Sequence, residues 1–343
     1  MKQETVFVGL SGGVDSSVSA ALLKEQGYHV VGVYMKNWSE NLPGMECPWA
    51  EDLADAKRVA VKLGIDFLVF DFEAEYKNKV VDYMLSEFQK GRTPNPDIMC
   101  NQEIKFKLFY DVAREKGADK IATGHYAQTD GKNLLRAKDG NKDQTYFLYR
   151  ISQDAIEHTL FPVGNMYKPD VKKLAEKYGL HNAYKKESMG VCFVGEVGMK
   201  DFLRQYFPET PGAIKDAQTG EILGYHEGAI FYTIGQRHGL EIGGGLPYYV
   251  VKKDIKNNIV YVSKNLNHAD LWTNELELED IILRQKAQIV YARLRHRAEL
   301  IPAELTGTKL IFKDRIKKPA SGQSAVLYGG EDAKICLGGG VIK

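Results

Sequence analysis

Gly9-Leu10-Ser11-Gly12-Gly13-Val14-Asp15-Ser16-Ser17 brings glycines, serine hydroxyls and one carboxylate into a single short string. It follows the apolar run TVFVGL and opens a helical stretch. Glycines allow close backbone approach, and successive N–H groups at a helix N-terminus form a nest for an anion, to which Ser11, Ser16 and Ser17 add hydroxyl donors. The chemistry of such a loop is phosphate binding. The string is neither G-x-x-x-x-G-K-[ST] nor G-x-G-x-x-G. For a generic G-G-x-D the competing reading is a plain strand-to-helix turn with an Asp or Ser cap.

A second group of residues carries thiol chemistry. Asn95-Pro96-Asp97-Ile98-Met99-Cys100-Asn101 is a rigid turn that sets an acid three residues before a thiol. If a helix begins near Asp97, Asp97 and Cys100 share a face, and a thiol near a helix N-terminus is more readily ionised. The alternative is an N-cap Asp and a buried small Cys. Cys192 lies in Glu187-Ser188-Met189-Gly190-Val191-Cys192-Phe193-Val194-Gly195-Glu196, where flanking glycines suit a loop that presents its thiol. Its alternative is a half-buried Cys at a sheet edge. Cys47 and Cys336 are expected to pack. No pair is spaced C-x-x-C, which argues against a closed structural zinc site and for free thiols in a reducing cytoplasm.

These residues need a scaffold. Runs at 5–10, 29–35, 65–72 and 120–127 read as strands, and 16–25, 50–63, 76–89 and 106–116 as helices, an alternation that predicts a doubly wound parallel α/β sheet. Ligands of such sheets sit at the carboxyl ends of the strands. That places Met35, ending the second strand, and Gly124 and His125, ending the fourth, beside the phosphate loop. Helices are expected over 169–178 and 198–206. From about 208 the chain turns β-rich: GAIFYTIGQRHGL, GGGLPYYVVKKD and NNIVYVSK, with a hairpin turn at Asn257-Asn258, read as a small central domain. Beyond 275, five or six short strands predict an antiparallel β-barrel. The expected division is 1–207, 208–272 and 273–343.

The 343 residues hold 46 basic and 45 acidic side chains, a net charge of +1, with 44% hydrophobic and 27% charged residues. Such a balance excludes a uniformly basic chain and a disordered one. No apolar run reaches the roughly 20 residues that span a bilayer, so no membrane partner is expected. The average hides local excesses. Residues 284–318 carry ten basic side chains against three acids, and 168–186 six lysines against two.

Taken together, the motifs resemble one family, the tRNA-specific 2-thiouridylases of the PP-loop ATP pyrophosphatase superfamily. The strings that carry the resemblance are G-L-S-G-G-V-D-S-S (9–17), N-P-D-x-x-C-N (95–101), A-T-G-H-Y-A (122–127), K-D-Q-T-Y-F-L (142–148), S-M-G-V-C-F-V-G-E (188–196), T-I-G-Q-R-H-G-L (233–240) and S-G-Q-S-A-V-L-Y…C-L-G-G-G (321–340). They occur in order over nearly the whole chain. The resemblance implies a cytoplasmic enzyme that uses ATP and Mg²⁺ to thiolate the wobble uridine of tRNA, with a PP-loop domain, a central β domain and a C-terminal barrel. By its pattern Gly9, Leu10, Ser11, Gly12, Gly13, Val14, Asp15, Ser16, Met35 and Gly124 bind ATP. Asn95, Pro96 and Asp97 meet the target base; His125, Lys142, Asp143, Gln144, Arg295 and Gln323 contact tRNA.

The resemblance also implies that Cys192 carries sulfur as a persulfide from a donor protein, a cysteine desulfurase or a sulfur-relay protein, and that Cys100 frees it by forming a disulfide with Cys192. Asp97 serves as general acid or base. The family's R-Y-R element reads Arg295-His296-Arg297 here, so His296 stands where a tyrosine touches tRNA. With tRNA as partner, the two basic stretches become candidate RNA-facing surfaces. Tyr126, Tyr146, Phe147 and Tyr149 are candidates to hold a flipped base, or core. Three readings compete: another PP-loop enzyme using ATP without sulfur, a tRNA-binding protein without ATP turnover, and an iron–sulfur cluster held by Asp97, Cys100 and Cys192.

Overall fold

Apolar Val6, Phe7 and Val8 form the centre of β1 (Thr5–Gly9), buried on both faces. It pairs in parallel with β2 (His29–Lys36) on one side and β4 (Lys120–Ala122) on the other. β3 (Asp66–Asp71) flanks β2, and the two-residue β7 (Thr159–Leu160) flanks β4. The order β3-β2-β1-β4-β7 is that of a doubly wound sheet, whose doubly covered strands read as continuous apolar runs. Helix α1 (Val14–Glu25) follows β1 and buries Val14, Val18, Ala21 and Leu23; helix α2 (Trp49–Leu63) follows β2 and ends on Gly64 in the left-handed conformation.

The computed structural model describes residues 3–41, 47–186, 198–243 and 245–343. These fall into two compact units. The first draws on Met1–Val81, Pro96–Val197 and Tyr328–Gly338 and holds the parallel sheet. It also holds a hairpin, β5 (Ala127–Thr129) with β6 (Leu134–Arg136), in which Leu135 pairs with Ile335.

The second unit comprises Asp82–Asn95, Gly198–Leu327 and Gly339–Lys343. Its central sheet has β8 (Gly212–Asp216), β9 (Ile222–His226), β10 (Tyr249–Asp254) and β11 (Ile259–Ser263) in the order β10-β11-β8-β9. The turn at Asn257-Asn258 joins β10 and β11 as expected, with Asn258 at φ +53° and Asp254 accepting from the Asn257 amide at 2.9 Å. β12 (Trp272–Leu283), β13 (Ile289–Arg293), β14 (Ile301–Thr306), β15 (Lys309–Lys317), β16 (Ser324–Gly329) and β17 (Ile335–Ile342) form the barrel in the order β12-β15-β14-β13-β16-β17, closed by pairing of β12 with β17.

The structure corrects three expectations and adds one strand. The run 120–127 is not one strand: β4 stops at Ala122 and β5 starts at Ala127, leaving Gly124 and His125 in the connecting loop. The run at 228–240 forms no strand but a 3₁₀ turn (Ala229–Phe231) and loop, because Gly228, Gly235 and Gly239 take positive φ. The helical stretch 76–89 includes a wide π-type turn at Lys77–Val81. β14 had no counterpart in the sequence reading; it contains Pro302, which sits opposite Tyr291 of β13, while pairing with β15 begins only at Ala303. Among the described residues no helix is long and apolar enough to cross a membrane.

Candidate active site

The phosphate loop lies between β1 and α1, at the carboxyl end of the central strand. Gly12 takes φ +76°, and a Cβ there would lie 2.6 Å from the Asp52 carbonyl oxygen of α2. Both facts require glycine. A Cβ on Gly124 would come within 2.5 Å of the Ser16 backbone nitrogen. The loop after β4 is thus pressed against the start of α1, with no side chain between them. A Cβ on Gly9 would meet the Met35 methyl at 2.9 Å, so Met35 lies across the strand end beneath the loop. Leu10 and Val14 are buried and anchor the loop from below. The sequence-predicted nucleotide residues are therefore neighbours.

Serines tie the loop to itself. The Ser16 hydroxyl accepts from the Ser11 amide at 3.2 Å and donates to the Gly13 carbonyl at 3.1 Å; Ser17 donates to the same carbonyl at 2.8 Å. Residues to which the sequence assigned no role at the loop also bind it. Asn182 donates to the Gly12 carbonyl at 2.8 Å and to the Ser17 hydroxyl at 2.9 Å. Lys168 Nζ lies 2.6 and 2.8 Å from the two Asp15 carboxylate oxygens, and the Tyr126 hydroxyl donates to Asp15 Oδ1 at 3.0 Å. Sequence alone registered Lys168 as one charge in a basic run.

Among the described residues, three of the six lysines of that basic run lie in ion pairs. Besides Lys168, Lys185 bridges Asp52 at 2.8 Å and Asp55 at 2.6 Å, and Lys173 lies 3.5 Å from Asp170. Burial works against the Asp55 charge, but Lys185 and His181 more than offset it and hold the carboxyl below its ordinary range. Lys168, Asn182 and Lys185 of this stretch therefore brace the loop and α2. In the second unit, Arg295, Arg297, Lys313, Arg315, Lys317 and Lys318 are all exposed, as are Lys172, Lys173, Lys177 and Lys186 in the first.

Pro96–Met99 forms a helical turn, and a wide turn continues from Cys100 to Leu108. Asp97 and Cys100 are three residues apart on this continuous helical stretch, the spacing that puts both on one face. Cys100 is only 4% exposed. Burial raises the Asp97 carboxyl above its ordinary value, with Lys105 opposing. The same helical stretch packs toward the loop, since a Cβ at Gly9 would lie 3.8 Å from Phe109 Cε1. Asn101 donates to the Phe147 carbonyl at 3.3 Å, joining the N-P-D-x-x-C-N turn to the K-D-Q-T-Y-F-L segment.

His125 Nδ1 sits 2.8 Å from the Thr123 hydroxyl, and its ring is 5.5 Å from that of Phe106. Burial, then the nearby Lys105 charge, pushes its pKa well below the ordinary value, so its imidazole is neutral at pH 7. Asp143, expected to contact tRNA, lies in the interior. It is 1% exposed, and its carboxylate accepts from the Ala137 amide at 3.2 Å and from the Thr145 hydroxyl at 2.9 Å. Lys142 and Gln144 are half-buried. Gln144 Oε1 accepts from the Tyr126 amide at 2.8 Å, which fixes the residue that in turn holds Asp15. Tyr126, Tyr146 and Tyr149 are core.

In the second unit, Gln323 donates to the Thr93 carbonyl at 2.7 Å, two residues before Asn95. His296 is half-buried in the turn after β13. Cys336 is buried, and the Cys47 thiol lies 3.6 Å from the Trp38 carbonyl, its pKa raised chiefly by burial. Cys192 and its motif lie outside the described residues. Among the described residues no three His, Cys, Asp or Glu side chains converge as a metal site.

The donor set at the loop fits a nucleotide triphosphate: backbone amides, hydroxyls, a buried ammonium, and one carboxylate able to take a hard divalent cation. A family model described as the tRNA methyl transferase HUP domain matches residues 4–196, the tRNA methyl transferase PRC-barrel domain matches 200–264, and the aminomethyltransferase beta-barrel domain matches 269–342. The chain is 47% identical to the tRNA-specific 2-thiouridylase MnmA of Listeria innocua serovar 6a, across 98% of this chain and 94% of that protein. It is 46% identical to the protein of the same name from Dechloromonas aromatica, across 100% of both. Among solved structures, a 4-thiouridine synthetase–RNA complex with bound ATP superposes on 56% of this chain and 45% of that one, with a TM-score of 0.39 and 18% identity.

Proposed function

This chain belongs to the tRNA-specific 2-thiouridylase family, and from that premise we propose that it performs ATP-dependent 2-thiolation of the wobble uridine of tRNA. One observation carries the reading. A single compact unit holds both a phosphate loop and the Asp97–Cys100 turn, and the helical stretch continuing that turn packs by Phe109 near Gly9 at the loop's own strand end.

The loop amides and hydroxyls bind the ATP phosphates, with Met35 near the end of β2 and Gly124 in the loop after β4 on the nucleotide side. Mg²⁺, when bound at Asp15, screens the phosphate charge. The uracil 2-oxygen attacks the α-phosphorus, and pyrophosphate leaves with the electron pair of the broken P–O bond. The terminal sulfur of a Cys192 persulfide then attacks carbon 2. The Cys100 thiolate attacks the inner sulfur of Cys192, the persulfide S–S bond breaks, and AMP departs with the former 2-oxygen. The product is 2-thiouridine with a Cys100–Cys192 disulfide, which an external thiol reductant must reduce before the next turn. Asp97, protonated more readily than an ordinary Asp, is the proton donor or acceptor beside the base.

Asn95, Pro96, His125, Lys142, Gln144, Arg295, His296 and Gln323 make up the proposed tRNA contacts, and Asp143 supports them from inside. The proposed domains are 1–207, 208–272 and 273–343. Sulfur comes from a cysteine desulfurase or a relay protein, in the cytoplasm. The family-model description names methyl transfer, but relatives matched over the whole chain carry the thiolation name, and the separated thiols suit sulfur transfer. Retardation of the product tRNA in a mercury-containing gel tests the reading. Thiolation that requires ATP, a sulfur source and Cys192 supports it; RNA modified by a methyl donor alone overturns it.

A further inference from the structure

A carboxylate in the first turn of a helix is well placed electrostatically, because it faces the positive end of the helix dipole. In a phosphate loop the same placement sets it against the incoming anion. Asp15 is such a carboxylate, two residues after Gly13. Its charge is met by Lys168, whose side chain is 8% exposed while that of Asp15 is 27% exposed. Lys168 has little freedom to leave. It opens the helix Lys168–Lys177, its backbone amide donates to Asp139 at 3.1 Å, and Val171 and Ala175 of that helix share a core with Val14 and Val18 of α1. Its ammonium also stands 5.8 Å from the centre of the Tyr126 ring.

Leaving a buried ammonium without the anion that faces it is costly. If Asp15 turns to a divalent cation, the Lys168 charge must find another anion, and the phosphate chain of ATP is the one delivered to this loop. We propose that Lys168 is a charge-exchange residue of the adenylation step: Asp15 holds it in the resting chain, and it passes to the pyrophosphate leaving group when Asp15 takes up the cation. In that step the bond between the α-phosphorus and the bridging oxygen breaks, the electron pair stays on pyrophosphate, and the Lys168 ammonium offsets the charge that develops there. Lys168 gives up no proton. The inference rests on the ATP-dependent reading above and adds a residue to it.

The test is binding of inorganic pyrophosphate, adenosine and α,β-methylene ATP, each with and without Mg²⁺, by titration calorimetry on the full chain. The set comprises wild type, Lys168→Met, Lys168→Arg and Asp15→Asn. Lys168→Met is expected to weaken pyrophosphate binding at least about tenfold, with adenosine binding unchanged and Lys168→Arg restoring most of the loss. Asp15→Asn, which leaves the ammonium without its carboxylate, is expected to tighten Mg²⁺-free pyrophosphate binding and to lose its Mg²⁺ dependence. A purely structural ion pair would make both variants weaker. Changes of the same sign in Lys168→Met and Asp15→Asn, or equal loss of adenosine and pyrophosphate, overturn the proposal. A wild-type chain that binds α,β-methylene ATP while Lys168→Met binds it equally well overturns this inference alone; a wild type that binds neither pyrophosphate nor α,β-methylene ATP overturns the ATP reading with it.

Discussion

The Asn182 side-chain amide donates both to the Gly12 carbonyl, at 2.8 Å, and to the Ser17 hydroxyl, at 2.9 Å. One residue, far along the chain, thereby ties Gly12 of the phosphate loop to Ser17 in the first turns of α1. Removing it leaves buried acceptors unsatisfied, at a cost of about 1–3 kcal/mol. Asn182→Ala is expected to lower the unfolding midpoint and to weaken α,β-methylene ATP binding about tenfold or more. Unchanged nucleotide affinity in a folded Asn182→Ala chain would show that the loop holds its shape without this clamp.

Asp97 gives a pH signature. Its folded-state pKa lies above the ordinary carboxylate value because of burial. Such a group favours the fold while protonated, and its contribution is complete below the ordinary value of about 3.9 and lost as pH rises through the raised one. Asp97→Asn stays neutral, so it should be more stable than wild type at pH 7–8, with the difference narrowing as pH falls toward about 4. Urea midpoints at a series of pH values measure this, and a pH-independent difference would contradict it. The same variant should lose about a hundredfold or more in thiolation rate if Asp97 moves a proton.

Asp143 separates an interior role from a direct RNA contact. Asp143→Asn keeps the volume but turns an acceptor of the Ala137 and Thr145 donors into a mixed group. A loss of about 1–3 kcal/mol in stability is expected, with no change in the salt dependence of tRNA binding. A shallower salt slope at unchanged stability would return Asp143 to the RNA surface.

The two basic stretches should behave differently. Neutralising one exposed cation of the barrel, as in Lys313→Gln or Arg315→Gln, should reduce the slope of log affinity for tRNA against log salt by about 0.7–0.9 where that cation meets a phosphate. Lys185→Gln should leave the slope unchanged and lower stability, because Lys185 is engaged with Asp52 and Asp55. Equal slopes for all three variants and wild type would remove the barrel from the RNA interface.

Much of this was legible in the sequence because local rules and global fold agree there. The Val6–Val8 run and the glycines after it predicted the strand, the turn and the helix start. The hairpin at Asn257-Asn258 followed from turn chemistry. What escaped needs contacts between distant residues. A lysine in a run of lysines looks like solvated surface, and only folding brings Lys168 to Asp15. Asp143 sits between Lys142 and Gln144 in a polar string, yet the chain turns it inward. Pro302 disguised β14, and the glycines at 228, 235 and 239 let an apolar stretch become loop. The Asp97–Cys100 spacing was readable, but the burial that alters the acid was not.

The most direct test of the account is a single turnover with ATP, tRNA and a chain carrying one labelled persulfide sulfur on Cys192. The account predicts one 2-thiouridine, one AMP and one pyrophosphate per chain, with a Cys100–Cys192 disulfide in the product, and pyrophosphate without 2-thiouridine from Cys100→Ser. Full thiolation by Cys100→Ser, or thiolation that tracks bound iron and acid-labile sulfide in anaerobically prepared protein, would contradict the two-thiol route.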